Sequence, residues 1–345
     1  MMRTHVIVVG ALAAAALILG ASRTPVVAAD QLTVVSWGGN YQNSLAKYVF
    51  EPFSKSSGIK VTQAVYAGEA AKVRAMVETK TVSWDVVDAG SNAWVMCAQG
   101  LLETIDWNKL GLDRAKFGEA GNFECGVPSQ TNATIVYYGK KLTPAPKTIA
   151  DLFDTKNFPG KRGLWKNPYP TLEWALIADG VPKDQVYTVL TTSEGIERAL
   201  KKLDTIKNDV IWWTSGAQAD QLLGSGQLIM TAAWTSNELN KRYDTMWDAA
   251  QGAYQYWVIP KGSPHLEEAY KFLASAGSAQ PQADMTRDLP LAPANKDAMA
   301  LVDPEILPHL SNTPEHAAVA LPFDPRFWAV HGDDLRQQFT AWLAK

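Results

Sequence analysis

The stretch Leu32–Gln42, LTVVSWGGNYQ, constrains the fold more than any other part of the chain. Its apolar, β-branched first half is typical of a buried strand. Trp37, Gly38 and Gly39 then interrupt the strand, and an apolar periodic segment typical of a helix begins near Leu45. A strand that breaks into a glycine-rich turn before a helix places that turn at the carboxyl edge of a sheet, where open α/β sheets bind ligands. The sequence therefore predicts a ligand-facing turn around Trp37.

Gly38 and Gly39 have two interpretations, which are compatible with each other. The first is a tight turn that requires a positive φ angle. The second is that bare backbone N–H groups approach a ligand, with Asn40 and Tyr41 adding side-chain hydrogen bonds. The glycines are not a dinucleotide-binding fingerprint, because neither a third glycine nor a ribose-binding acid follows at the required spacing.

Strand and helix patterns alternate along most of the chain. Strands are predicted at 32–37, 59–66, 84–89, 125–139, 162–165, 210–213, 227–234 and 254–259. Helical periodicity fills the intervals, including 237–250, and an amphipathic helix at 333–343 ends the chain. This alternation implies an α/β fold with a mostly parallel sheet and right-handed crossovers. Ser91 and Asn92 follow the third strand, so we expect them at the same sheet edge as Trp37.

Length and charge limit the classes of protein to which the chain can belong. Its 345 residues are 47% hydrophobic, which is enough for two lobes rather than one core. The net charge of −3 gives no indication of a nucleic-acid partner.

The first 29 residues have the pattern of a cleaved secretory signal. Arg3 and His5 precede an apolar run over 6–19, and small residues then offer a cleavage site near Ala29. The alternative is a single membrane anchor, for which the run is short. We therefore expect a mature protein that is exported to the periplasm.

Cys97 and Cys125 are the two cysteines of the chain. An even number of cysteines in an exported protein usually indicates a disulfide, and two buried thiols are the alternative. No histidine or further cysteine lies at ligand spacing, so the pair does not indicate a metal site.

Three motifs carry a resemblance to a known family: VSWGG after the first strand, QLIMTAAW, and YWVIPKGSPHLEEAYKFLAS. In sequence and order they resemble the solute-binding proteins of bacterial ABC importers, and most of all the spermidine/putrescine-binding group. The resemblance implies the two-lobed α/β fold of type II periplasmic binding proteins, with a ligand cleft between the lobes. Lobe one would comprise 30–135 plus 258–300, and lobe two 136–257 plus 301–345. Thr131–Tyr138 and Tyr254–Val258 would be the crossing segments.

The same resemblance implies a function. The protein would capture a small amine-type or zwitterionic metabolite, close around it by a hinge motion and deliver it to a membrane permease. It would act as a monomer without a cofactor. A ligand-presenting accessory of a chemoreceptor is an alternative that the sequence does not separate from transport.

Aromatic walls are the expected core of the binding site, since aromatic faces attract amines through cation–π interactions. Trp37 and Trp234 match the cleft tryptophans of the family. The full set of expected ligand-binding residues is Trp37, Gly38, Asn40, Tyr41, Ser91, Asn92, Asn167, Trp234, Thr235, Asn237, Gln255 and Trp257.

The charged anchors of the family fall on uncharged residues in this chain. The polyamine binders carry carboxylates at positions that correspond to Asn167, Pro170 and Gln255. A related subgroup that resembles γ-aminobutyrate binders carries an arginine near Asn237. We therefore hypothesise a ligand that is less cationic than a polyamine, such as a zwitterion, a quaternary ammonium compound or a neutral metabolite. Asp88, Glu238 and Asp244 are the acids that could restore a charge.

Two other classes of protein find little support in the sequence. The chain has no G-x-S-x-G, H-E-x-x-H or Walker motif, and Asp85 and Asp88 lie three residues apart on a strand, so they face opposite sides. An enzyme is therefore not indicated. The adjacent Tyr137 and Tyr138 are similar to the tyrosines of ferric-ion binders, but side chains alternate along a strand and these two rings would diverge.

Overall fold

The computed structural model describes residues 31–66 and 68–345. The signal segment predicted at 1–29 lies outside the described residues. Among the helices described, none is both long and apolar enough to cross a membrane.

One continuous sheet runs through the described chain. Its strands are β1 (Gln31–Ser36), β2 (Lys60–Val65), β3 (Val86–Asp88), β4 (Gly126–Tyr138), β5 (Arg162–Trp165), β6 (Val210–Trp213), β7 (Met230–Trp234), β8 (Asp244–Val258) and β9 (Ala292–Pro293). Their spatial order is β2-β1-β3-β8-β4-β7-β5-β6, and β9 pairs with β4.

The sheet consists of two parallel halves joined by two long antiparallel strands. On one side β1 pairs in parallel with β2 and β3, and on the other β5 pairs in parallel with β6 and β7. Strands β4 and β8 pair antiparallel and reach into both halves. The molecule therefore has the predicted two-lobed α/β fold, with β4 and β8 as the connection between the lobes.

Helices cover both faces of the sheet. They are α1 (Gly39–Leu45), α2 (Glu51–Ser57), α3 (Ala70–Glu78), α4 (Asn92–Ala98), α5 (Trp107–Leu110), α6 (Pro168–Ala178), α7 (Val186–Leu190), α8 (Ser193–Asp204), α9 (Gly216–Gly224), α10 (Asn237–Arg242), α11 (Leu266–Ala276), α12 (Ala279–Met285), α13 (Pro314–Val319) and α14 (Pro325–Leu343). Helix α8 shows why such segments form: the Thr192 hydroxyl accepts a hydrogen bond from Gly195 N, and Ile196, Ala199 and Leu203 share one buried face.

The helix predicted at 237–250 is wrong over its second half. Helix α10 ends at Arg242, and the chain continues as β8 from Asp244. Asp244 pairs with Tyr138, so β8 completes the ladder of β4. Ala249 adopts a positive φ of 54° close to the register shift in this ladder. Tertiary pairing overrides the local helical pattern here.

Each lobe has its own hydrophobic core. In lobe one, Val34, Phe50 and Phe272 belong to a buried cluster between the sheet and the helices. In lobe two the core contains Trp174, Leu203 and residues of α14, which packs Phe327, Leu335, Phe339 and Trp342 against it. The C-terminal helix is longer than the predicted 333–343 segment, because Asp324 caps it eight residues earlier through bonds from Arg326 N and Phe327 N.

The predicted disulfide between Cys97 and Cys125 is present, with the two Cα atoms 5.9 Å apart. It links the C-terminal turn of α4 to the residue before β4. The bond therefore fixes a helix of lobe one to the start of a connecting strand.

Candidate functional site

A cavity of about 620 Å³ lies between the lobes. Ser91 and Asn92 line it from lobe one, and Asn167 lines it from lobe two. Ala253 of β8 forms part of its floor. Three of the predicted site residues are thus brought together at one cavity.

Trp37 lies next to the lobe-one side of the cavity, which Asn92 lines. The indole Nε1 donates a hydrogen bond to Gln255 Oε1 at 3.0 Å, and the ring lies 5.0 Å from that of Tyr66. Asn92 Nδ2 donates to the backbone carbonyl of Gly68 at 2.8 Å. A Cβ atom at Gly68 would lie 3.1 Å from both Asn92 and Trp37, so a glycine is needed for this close approach. Trp37, Asn92 and Gln255 therefore form one packed group.

The turn after β1 is as tight as its glycines predict. Gly38 has a φ of 77° and Gly39 a φ of 59°, which confirms the turn interpretation. Gly38 also approaches the next strand, because a Cβ atom there would lie 2.9 Å from Val65 Cγ1. Asn40 is exposed on α1. Ligand contact by backbone N–H groups or by Asn40 stays a prediction.

Tyr41 belongs to a buried network around Asp88. Its hydroxyl donates to Asp88 Oδ2 at 2.5 Å and accepts a bond from Gln130 Nε2 at 2.6 Å. Asp88 is fully buried, and its Oδ1 has no hydrogen-bond partner. Burial raises the pKa of Asp88 to about 7, although hydrogen bonds from Tyr41 and Trp37 oppose the shift. A carboxyl group that titrates near neutral pH therefore lies behind Trp37.

Three tryptophans form a packed group in lobe two. Trp165 and Trp234 are the last residues of the parallel strands β5 and β7, and their rings meet edge to face with centroids 5.3 Å apart. Trp213 lies behind them, stacked on Trp165 at 6.2 Å and fully buried. Trp165 lines the cavity. The role of Trp234 as the wall opposite Trp37 stays a prediction.

Thr235 and Asn237 make bonds within the protein. The Thr235 hydroxyl donates to Asn132 Oδ1 at 3.0 Å and is largely buried. Asn237 Nδ2 donates to the backbone carbonyl of Asp288 at 3.0 Å, so it reaches from α10 to a loop that packs on the lobe-one core. Both side chains join elements in this structure, and contact with a ligand stays a prediction for them.

Trp257 is a predicted site residue that lies in the hydrophobic core of lobe one. It lies two residues beyond Gln255 on β8 and is 1% exposed. Its ring packs edge to face against Phe272 at 5.2 Å and against Phe50 at 6.3 Å. Its place along β8 puts Trp257 in the core, and ligand contact by Trp257 stays a prediction.

Sequence reasoning missed several residues that line the cavity. Tyr169, Phe323 and Trp328 contribute aromatic rings, and Tyr169 meets both others edge to face, at 5.2 and 5.6 Å. Tyr169 has a local signal, since Asn167 Oδ1 caps α6 through Tyr169 N. Phe323 and Trp328 have no such local signal, because they are about 150 residues away from Tyr169 in sequence. Only the packing of α14 brings them to the site.

A second buried acid lies behind these rings. Glu173 Oε1 accepts a hydrogen bond from Trp328 Nε1 at 2.9 Å, and its Oε2 has no partner. Gln251 Nε2 lies 3.5 Å from Glu173 Oε1 and donates to the Tyr187 hydroxyl at 2.5 Å. Burial raises the pKa of Glu173 to about 8. Each lobe thus contains one buried carboxyl group bonded to an aromatic side chain, Asp88 to Tyr41 and Glu173 to Trp328.

Arg74 is the cation of lobe one at the cavity. Its guanidinium donates to Gln99 Oε1 at 2.7 Å, and both residues line the cavity. Within 31–66 and 68–345, no carboxylate comes within ion-pair distance of Arg74, whereas Arg336 pairs with Asp333 at 2.5 Å. Arg74 therefore offers hydrogen-bond donors to an anionic group at this end of the cavity.

The described part of the chain contains no group of three or more His, Cys, Asp and Glu side chains arranged to hold a metal ion. Tyr137 and Tyr138 diverge, as the strand pattern predicts: the Tyr137 hydroxyl bonds to Asn240, and Tyr138 packs in the core on the other face. The adjacent tyrosines therefore do not form a joint site.

Comparison with known proteins agrees with this architecture. A γ-aminobutyric acid-binding protein of Pseudomonas aeruginosa is 37% identical over 323 residues, which cover 92% of each chain. The solved structure of the Atu4243-GABA receptor matches with a TM-score of 0.83 at 35% identity, over 92% of this chain and 98% of that one. MotA from A. tumefaciens B6, in complex with glucopine, matches with a TM-score of 0.78 at 32% identity, over 91% and 99% of the two chains.

A match to one protein family covers most of the chain. Residues 49–317 match the family of bacterial extracellular solute-binding proteins. This range contains both connecting strands and the predicted site residues from Ser91 to Trp257. The predicted family is thus confirmed, and the chain belongs to the bacterial extracellular solute-binding proteins.

Proposed function

We propose that the protein is the periplasmic solute-binding component of an ABC importer, and that it captures a small amine-type or zwitterionic metabolite between its lobes. The single observation that carries the proposal is the interlobe cavity, which receives aromatic and polar side chains from both lobes. Its volume of about 620 Å³ is in the range of small-molecule sites.

The aromatic side chains around the cavity favour a ligand with an ammonium group. Trp165, Tyr169 and Trp328 line the cavity, and aromatic rings attract cations. Arg74 provides a counterpart for a carboxylate. The similar proteins named above include a binder of γ-aminobutyric acid and a structure that holds glucopine, which supports a ligand of this chemical type.

We propose that ligand binding closes the lobes about β4 and β8, and that a membrane permease recognises the closed monomer. Residues 30–135 plus 258–300 would move as one lobe, and 136–257 with α14 as the other. Val302 and Leu310 pack with Ala283 and Ala292 of lobe one. The chain would therefore cross back to lobe two only after Leu310.

Calorimetric titration of the refolded, ligand-free mature protein tests the proposal. We expect saturable binding of at least one compound among γ-aminobutyrate, choline, putrescine and spermidine. Replacing Arg74 by Gln should weaken γ-aminobutyrate binding by about tenfold, because a charge-assisted hydrogen bond is lost, and should leave putrescine binding unchanged. Absence of binding of all four compounds to folded wild-type protein would overturn the proposal.

A further inference from the structure

We propose that the back of the connecting strands carries a second ligand site, separate from the interlobe cavity, for a small amine with an apolar body. The site is a cavity of about 360 Å³. Ala253 of β8 lines the interlobe cavity, whereas its neighbours Gly252 and Tyr254 line the second one. Adjacent residues of a strand face opposite sides of the sheet, so the cavities lie on opposite faces of β8. They approach each other at Ser91 and Phe323, which line both.

The pairing of the strands extends the floor of the second cavity from β8 to β4. Thr131 is paired with Tyr254, and Ala133 is paired with Gly252. Directly opposite residues of an antiparallel pair share one face of the sheet. Thr131 and Ala133 accordingly line the same cavity. Its floor is therefore made of the two strands that join the lobes.

The roof of the cavity is the segment 311–325, which runs from lobe one back to lobe two. At its start, Asn312 Nδ2 donates to the backbone carbonyl of Pro293 at 3.0 Å, and Pro293 lies in β9, which is paired with β4. Near its end, Leu321 N donates to the backbone carbonyl of Ala250 at 2.9 Å. The segment is thus bonded to the sheet on both sides of the cavity that it covers.

Most of the lining is apolar. Aromatic side chains come from Trp94, Tyr254, Tyr256 and Phe323, and small apolar residues come from the strands and from segment 311–325. The Trp94 ring is already covered by a cation, because the Arg326 guanidinium lies over it at 5.5 Å. The lining therefore favours an apolar body, which gains free energy from the area it removes from water. The volume lies in the lower part of the range for small-molecule sites.

Glu119 supplies the charge of the site. Among the described residues that line the cavity, it is the only charged one. Partial burial raises the pKa of Tyr254 against a hydrogen bond with Thr131, and the charge of Glu119 raises it further, which places the carboxylate near that hydroxyl. No cation in the described part of the chain lies within ion-pair distance of Glu119. An unpaired carboxylate beside an apolar cavity suits an ammonium group at one end of the ligand.

A molecule in this cavity would contact both lobes. Trp94 and Glu119 belong to lobe one, and Phe323 directly precedes the helix α14 of lobe two. Closure about β4 and β8 would change the shape of a cavity on the back of these strands. The bound amine would therefore favour the present arrangement of the lobes, in which Asn237 bonds to Asp288, and would tighten solute binding between them. This coupling, unlike the site itself, rests on the proposed function.

Titration of the ligand-free mature protein with phenethylamine, followed by nuclear magnetic resonance of the ligand, tests the site directly. We expect saturable binding, and about fivefold weaker binding of 2-phenylethanol, which has nearly the same shape without the charge. In Glu119→Gln the two compounds should bind equally, because Glu119 is exposed and its loss removes the charge without disturbing the core. Absence of saturable phenethylamine binding to wild type would overturn the site, and a preference that persists in Glu119→Gln would overturn the role of Glu119.

A matched pair of alanine substitutions distinguishes the two cavities. Ala320 lines the second cavity and Ala253 the interlobe one. Ala320→Leu occupies part of the second cavity and should lower phenethylamine affinity about tenfold, whereas Ala253→Leu should leave saturable binding in place. Thermal denaturation verifies that both variants are folded. Undiminished phenethylamine binding in Ala320→Leu would overturn the second site.

A final comparison separates failure of this inference from failure of the proposed function. Saturating phenethylamine should tighten, severalfold, the binding of whichever of the four solutes named above binds best, and Ala320→Leu should abolish this effect. Unchanged or weaker solute binding would overturn the coupling. A protein that binds phenethylamine in the second cavity but none of the four solutes contradicts the proposed function and leaves the second site intact.

Discussion

At the scale of single residues, the predicted site carries amides, and two acids are buried beneath its surface. Gln255, where the resemblance to polyamine binders leads us to expect a carboxylate, accepts a hydrogen bond from Trp37. The two acids are Asp88 and Glu173, both fully buried. The sequence predicted the amide positions and named Asp88 as an alternative. It could not predict Glu173, since its placement depends on contacts with Trp328 far along the chain.

Asp88 makes stability depend on pH in a direction opposite to that of a salt-bridged acid. Its pKa rises from 3.8 to about 7 on folding, so between these values the folded state holds a proton that the unfolded state has lost. This group's contribution to the free energy of unfolding therefore falls as pH rises through that window, by up to about 1.4 kcal/mol per pH unit. Above pH 7 or so, the contribution of Asp88 to the free energy of unfolding falls no further.

Asp88→Asn should remove this dependence. Urea unfolding at a series of pH values should show the variant gaining stability relative to wild type as pH rises from 3.8 to about 7. Glu173 shifts in the same direction and is present in both proteins, so it cancels in the difference. A stability difference that stays constant over this window would contradict the buried, partly protonated carboxyl group.

At the scale of elements, the site is assembled from strand ends that the sequence revealed and from a helix that it did not. The alternating pattern placed β1, β3, β5 and β7, and with them Trp37, Asn92, Asn167 and Trp234. Helix α14 was predicted too short, and its Trp328 was not assigned to the site. Local pattern shows that a helix is amphipathic but not which surface it covers, which only the packing of lobe two determines.

The turn between β1 and α1 offers a matched pair of glycine substitutions. Both glycines have a left-handed backbone conformation that is unfavourable for alanine. In Gly38→Ala the added methyl group would also lie 2.9 Å from Val65 Cγ1, whereas in Gly39→Ala nothing lies within 4 Å of it. We expect Gly39→Ala to lower the free energy of unfolding by about 1–2 kcal/mol and Gly38→Ala to lower it further. Thermal denaturation of both variants measures this, and equal losses would show that the contact with Val65 relaxes freely.

The disulfide between α4 and β4 should contribute to stability through the loop that it closes. Its cysteines are 28 residues apart, for which the chain-entropy relation gives roughly 3–4 kcal/mol. The double variant Cys97→Ser, Cys125→Ser should lose about that amount in urea unfolding. Adding a reductant should shift the wild type toward the variant and leave the variant unchanged. Identical stability of all samples would mean that the bond does not constrain the unfolded chain.

At the scale of the whole molecule, two parallel half-sheets are held together by β4 and β8, and the cavity lies where their ends meet. The alternation of strands and helices was sufficient to predict two lobes. It could not predict that β8 begins at Asp244, since a strand inside a helical pattern becomes stable only through pairing with β4. Asn237 shows a second limit: its bond to Asp288 depends on how the lobes are placed.

The bond from Asn237 to the Asp288 carbonyl should favour approach of the lobes. It joins α10 to the loop after α12 and can form only at the present separation. Asn237→Ala removes about 1 kcal/mol from that arrangement, so small-angle scattering of the ligand-free protein should show a larger radius of gyration than wild type. Asn240→Ala, on the same helix, serves as control for local effects. No change in radius would show that the bond does not influence the lobes.

The group formed by Trp165, Trp213 and Trp234 also has an optical consequence. Indoles with centroids 5.3 to 6.2 Å apart couple their electronic transitions, so they act as a joint chromophore with a characteristic circular dichroism band. Trp165 is the member that lines the cavity. We therefore expect occupation of the cavity to change both the emission and the dichroism of all three, which would make the group an intrinsic reporter of ligand binding that requires no attached dye.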